Sequence, residues 1–174
     1  MTAGDRRAFT VIRSVVYAAA FFATFVWIGA WARTFDARLP FVPPAWLRPA
    51  GVVLAFAGAL VVAACVGTFA TLGRGTPAPF DPPTRFVATG PYRFVRNPMY
   101  LGGVAAILGI GLAISSSAVI LLAAGFLLVM HAFVLLHEEP ALERRFGDSY
   151  RQYRASVRRW IVRTPNQQRS RSES

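Results

Sequence analysis

The chain has 174 residues, 55% of them hydrophobic, and a formal net charge of +11 from 19 basic against 8 acidic residues. A hydrophobic share above roughly 45–50% excludes an ordinary soluble globule and an intrinsically disordered chain, and the length fits one domain. Every basic residue is arginine and none falls inside a long apolar stretch. The placement of the charge, between and after apolar blocks, removes the need for a nucleic-acid partner.

Four apolar segments follow one another, at 15–31, 50–72, 99–114 and 118–136. Each is read as a membrane span, against a requirement of about 20 apolar residues. The first follows Arg6, Arg7 and Arg13 and carries Phe21, Phe22, Phe25, Trp27 and Trp31, bulk that favours a retained helix over a cleaved signal peptide. The second holds the single cysteine, Cys65, which reads as a small buried thiol. Prolines at 40, 43, 44 and 49, and again at 77, 79, 82, 83, 91 and 98, exclude regular helix from the first and second loops. The third segment has 16 residues and reaches only about 24 Å, short of a hydrocarbon core of about 30 Å. Only Ser115, Ser116 and Ser117 separate it from the fourth, so the pair is predicted to form a tight hairpin in the bilayer. Gly102, Gly103, Gly109 and Gly111 permit close helix contact, within that hairpin or between chains.

Beyond the fourth segment, Phe146, Tyr150, Tyr153, Val157 and Trp160 recur at helical spacing, with Arg144, Arg145, Arg151, Arg154, Arg158 and Arg159 on the remaining faces. This pattern predicts an amphipathic interfacial helix over about 141–161, its aromatics dipping into the membrane and its arginines reaching water or anionic lipid. Residues 166–174 are polar and read as a disordered tail. The whole is an all-α integral membrane protein with about four transmembrane helices, a single domain over 1–165.

With four spans, the N-terminus, the second loop and the C-terminal tail share one side and carry sixteen arginines, against three (Arg33, Arg38, Arg48) on the other. The positive-inside rule then puts both termini in the cytoplasm, in a bacterial inner membrane.

No P-loop, dinucleotide fingerprint or nucleophile elbow is present. His131 and His137, six residues apart, are poorly placed to share a metal, so no metal site is expected. Two polar clusters remain on the cytoplasmic side: GPYRFVRNPMY over 90–100, and His137-Glu138-Glu139. The hairpin should bring them together. Pro98 suits the first turn of a helix, and the N–H groups after it, beside Asn97, can face an anion. Paired acids at a helix C-terminus oppose the helix dipole unless the helix runs on or a cation such as Arg96 or a ligand compensates. His131, seven residues before Glu138, lies on nearly the same helical face; it reads either as a functional group or as a neutral histidine bonded to a neighbouring helix.

At these residues the chain resembles the integral-membrane methyltransferases that include isoprenylcysteine carboxyl methyltransferases and phospholipid N-methyltransferases. The elements are GPYRFVRNPMY followed by glycine, HEE at the end of the last span, and FGDSYRQYRASVRRW. Arg96, Asn97, Pro98 and Tyr100 match the family's Arg-His-Pro-x-Tyr box, Glu138 and Glu139 its paired acids, and Tyr150 and Tyr153 its Gly-x-x-Tyr-x-x-Tyr motif. Asn97 stands where histidine is commonest, Pro140 where a basic or polar residue is usual, and Ser156 where the eukaryotic carboxyl methyltransferases tend to have arginine. The resemblance implies S-adenosylmethionine (S-adenosyl-L-methionine) as methyl donor and a lipophilic acceptor arriving from the membrane lipids, either a prenylcysteine-like carboxylate or a phospholipid amine. It implies Arg96, Glu138 and Glu139 as catalytic residues, and Tyr92, Asn97, Pro98, Tyr100, His137, Glu138, Tyr150 and Tyr153 as cofactor-binding ones. The alternative is a noncatalytic membrane scaffold or lipid-binding protein that retains the fold.

Overall fold

The structure, a computed structural model, describes residue 16, residues 23–68 and residues 88–162. The start of the first expected span, the end of the second, much of the second loop and the expected disordered tail lie outside these residues.

All regular structure among the described residues is helical. Helix α1 covers 23–33. After single 3-10 turns at Asp36–Arg38 and Ala45–Leu47 come α2, Arg48–Thr68, a further 3-10 turn at Gly90–Arg93, α3, Pro98–Ala113, and α4, Ser117–Phe133. A π-helical turn, Val134–Glu138, joins α4 to α5, Glu139–Phe146, and α6 is Asp148–Ser156. Two stretches are long and apolar enough to cross a membrane, Ala45–Thr68 with mean hydropathy 2.4 and Ser117–Phe146 with mean hydropathy 2.7; α3 is apolar but shorter.

Glycine sets the distance between α2 and α3. A Cβ built on Gly58 would lie 2.5 Å from the backbone N of Ala106 and O of Gly102, and one on Gly51 would lie 2.5 Å from the N of Ala113. No side chain fits there, so the two backbones touch along a seam of small residues, as membrane helices do where lipid supplies no hydrophobic drive. Of the four glycines on α3, Gly102 and Gly109 therefore face α2, while Gly111 meets Ile120 of α4. The opposite surfaces carry exposed Trp27 and Trp31 on α1, Val52, Val53 and Phe56 on α2, and Leu128 and Val129 on α4.

Between α3 and α4, Ser115 takes a left-handed φ of 53°. The N–H of Ser116 donates to Gly111 O and that of Ser115 to Leu112 O, which is the paired closure of a Schellman motif with serine in the place usually given to glycine. Ser116 then caps α4 by accepting from the Val119 N–H at 3.2 Å. The first loop closes over this turn. Asp36 accepts from the Ala118 N–H at 2.8 Å, Arg48 donates to Ser115 Oγ at 3.0 Å, and Ser117 Oγ donates to Phe41 O. Ser116 and Ser117 are buried, so the polar turn of a short helix finds its partners in protein.

Two expectations are corrected. The fourth helix does not stop at 136: helical structure runs through the acids to Phe146, which relieves their conflict with a helix C-terminus. Pro140 explains the π-helical turn before it. In a regular α-helix its ring would crowd the carbonyl four residues earlier; the wider turn absorbs that crowding, and α5 resumes with proline in its first turn. The second correction concerns 141–161, which is not one helix. Gly147 breaks it at φ 53° and ψ −125°, a conformation for which glycine is needed, and the chain is extended again at Val157. Nor does the whole apolar face point away from the protein: Tyr150 and Val157 are buried within it, and Phe146, Tyr153 and Trp160 are half-buried.

Candidate functional site

At the end of the molecule away from the serine turn, the loop entering α3 meets the π-helical turn. Tyr100, one turn into α3, donates its hydroxyl to Glu138 Oε2 at 2.8 Å. Arg96 Nη1 lies 2.9 Å from Glu139 Oε1, an ion pair whose angle falls outside hydrogen-bond geometry, since neither Nη1 nor the buried Nε of Arg96 has a hydrogen-bond partner among the described residues. The two polar clusters, about 40 residues apart in sequence, are thus in direct contact.

A second arginine completes the ion-pair cluster. Arg159 donates from Nε to Glu139 Oε1 at 2.7 Å and from Nη2 to Oε2 at 2.8 Å, the two-pronged geometry that planar guanidinium favours. The first cause raising the Arg159 pKa is this hydrogen bond to Glu139. Arg159 was not among the expected site residues. Helical spacing assigned it to a solvated face, and only the extended backbone after α6 turns it inward.

That extended segment runs beside the loop before α3. The Arg96 N–H donates to Arg158 O at 2.9 Å, and Asn97 Nδ2 to Arg159 O at 3.4 Å. Tyr153 donates to Tyr92 O at 2.6 Å, and Tyr150 hydrogen-bonds Arg96. Tyr92 has its pKa raised, first by burial and then by the neighbouring Cys65. Burial likewise pushes Tyr150 and Tyr153 up, so all three remain neutral phenols that can donate hydrogen bonds at physiological pH.

Arg96, Asn97, Pro98, Tyr100, Glu138, Glu139, Tyr92, Tyr150 and Tyr153 therefore gather at one end. His137 does not join them: it is exposed, its ring 5.7 Å from that of Phe133. A π-helical turn, Val134–Glu138, follows His131. The indole of Trp160 donates to His131 Nδ1 at 2.9 Å. An indole N–H can only donate, so Nδ1 is the unprotonated nitrogen, and His131 is a neutral histidine bonded to the C-terminal segment. Among the described residues no cluster of three or more histidine, cysteine, aspartate or glutamate side chains could hold a metal.

A 36-residue stretch of the chain is 50% identical to an uncharacterized protein of Haemophilus influenzae, covering 21% of this chain and 57% of that one. The chain thus matches little more than half of that relative's length. No solved structure matches. A family model described as phospholipid methyltransferase matches residues 46–149, more than half of the chain, including both motif clusters and the helices between them. With two long apolar helices this makes the protein membrane-associated, and by this match the chain belongs to the phospholipid methyltransferase family.

Proposed function

We propose that the protein is an S-adenosylmethionine-dependent methyltransferase acting on a lipophilic acceptor at the cytoplasmic face of a bacterial inner membrane. The observation that carries this reading is the contact between the family's two motif clusters through Tyr100 and Glu138 and through Arg96 and Glu139. In the same reading the chain crosses the bilayer four times with both termini in the cytoplasm, α3 and α4 forming a hairpin whose serine turn points outward.

The residues present fit the cofactor. S-adenosylmethionine supplies an electrophilic methyl group on a sulfonium, a cation suited to carboxylate and aromatic faces rather than to a strong base. Glu138 or Glu139 holds the cofactor's ammonium or ribose hydroxyls, and the three phenols line the same end. Asn97 and the first N–H groups of α3, at the positive end of the helix dipole, hold its carboxylate. Arg96 has buried donor capacity left unused at Nε, which suits an anionic group on the acceptor. The segment after α6 excludes water from the site, and rate arises from holding acceptor and donor in line.

Calorimetric titration of detergent-solubilised protein with S-adenosylmethionine and S-adenosylhomocysteine tests this. Binding supports the enzyme reading, whereas a well-folded protein that ignores millimolar cofactor returns it to the noncatalytic scaffold. Radiolabelled cofactor with total membrane lipid then shows whether label enters a phospholipid amine or an isoprenoid carboxylate.

A further inference from the structure

The two adjacent acids are in different situations. Glu139 is buried and engaged at both oxygens: Arg159 donates to Oε1 and Oε2, and Arg96 lies in ion-pair contact with Oε1. Among the described residues Glu138 accepts one hydrogen bond, from Tyr100 to Oε2, and Oε1 keeps capacity for a ligand. Removing Glu139 from this cluster would leave two arginines facing each other at a buried position, one of them with its side chain only 10% exposed. A carboxylate held this firmly is poorly suited to exchange its partners for a cofactor.

What Glu139 holds is the chain beyond α6. Arg159 is fixed by its side chain to Glu139, its carbonyl accepts from Asn97, the neighbouring Arg158 carbonyl accepts from the Arg96 N–H, and Trp160 donates to His131. Four consecutive attachments in three residues make this a strap across the loop that starts α3. It lies beyond the residues matched by the family model.

We propose that the paired acids divide the work: Glu139 is the fastening point for a C-terminal strap closed by Arg159, a positioning residue, and Glu138 is the acid that meets the cofactor. This rests on the methyltransferase reading only in its second half, since the strap exists without cofactor.

Hydrogen exchange of the cofactor-free protein in micelles, read by mass spectrometry on peptides containing the Arg96 amide, reports strap closure directly. Exchange along α3 checks that each variant is folded. Arg159→Ala and Glu139→Gln are expected to speed exchange at Arg96 by roughly tenfold or more, with Arg159→Lys in between and α3 unchanged. Glu138→Gln should leave exchange as in the native protein and weaken S-adenosylhomocysteine binding by roughly tenfold or more. If Arg159→Ala leaves the Arg96 amide protected, the strap is not fastened there and the proposal is overturned. If Glu139→Gln weakens cofactor binding while protection stays intact, Glu139 is itself a ligand and the division fails. Should the native protein bind no cofactor, the exchange result still decides the strap, and only the methyltransferase reading and the role of Glu138 fall.

Discussion

The two ends of the helix bundle solve the same problem with opposite chemistry. At one end the serine turn that follows the short helix α3 is closed by hydrogen bonds within the turn and by a carboxylate from the first loop, Asp36, that caps α4. At the other, a break in helical regularity is held by ion pairs and by phenols contributed from four separate stretches of chain. The first arrangement closes a turn, its serines and the start of α4 bonded to one another and to the first loop. The second leaves, among the described residues, a buried donor without a partner at Arg96 Nε and acceptor capacity on Glu138, which is what the proposed site would use.

Breaking the ion-pair end should have the largest effect. Glu139→Ala strands Arg96 and Arg159 without their counter-ion and is expected to destabilise the protein by about 3–5 kcal/mol, measured by chemical denaturation in micelles. Raising the pH attacks the same end. Burial raises the pKa of Tyr92, Tyr150 and Tyr153 in the folded protein, so the unfolded chain releases their protons first. Their contribution is fully present below the unfolded value of about 10 and is lost as pH rises above it, at roughly 1.4 kcal/mol per pH unit for Tyr92 and for Tyr153, whose shifts are large. A stability profile that stays level from pH 9 to 11 would contradict this.

The remaining tests sharpen the contrast. Glu138→Gln should weaken S-adenosylhomocysteine binding by about tenfold, about 1.4 kcal/mol, with little change in unfolding. Asp36→Ala, at the opposite end, should do the reverse: lose about 1 kcal/mol of stability with the α4 cap and leave cofactor affinity alone in calorimetry. The smallest effect is a gain. Ser115→Gly places the preferred residue at a left-handed φ and is expected to stabilise by up to about 1 kcal/mol, seen as a higher unfolding midpoint, less the exposed bond from Arg48.

Much of this contrast was legible in the sequence. The start of α3 was readable from Pro98, and its expected end at 114 lies one residue beyond the observed Ala113, because an apolar run bounded by proline and serines leaves few other solutions. Contact between the 90–100 cluster and the acids followed from the short connection between α3 and α4. The π-helical turn did not follow, although Pro140 was its visible cause, since a proline alone does not say whether a helix ends, kinks or widens. His137, within that turn, is exposed, and His131 is taken up by Trp160. The residues after 141 misled most. Aromatic spacing of three and four suits a lipid-facing helix and a protein-facing one equally, and periodicity carries no information about which surface lies opposite.

By itself, then, the sequence determined an all-helical, membrane-associated chain, its arginine asymmetry and the identity of the two clusters that meet, because these depend on local runs and on short connections. Only the tertiary structure decided which acid pairs with two arginines and which takes the Tyr100 hydroxyl. Arg159 reaches Glu139 across 20 residues, and the Arg158 carbonyl reaches the Arg96 amide across 62. Such pairings are set by how a glycine break and an extended segment return the chain to the bundle, which no local pattern of side chains records.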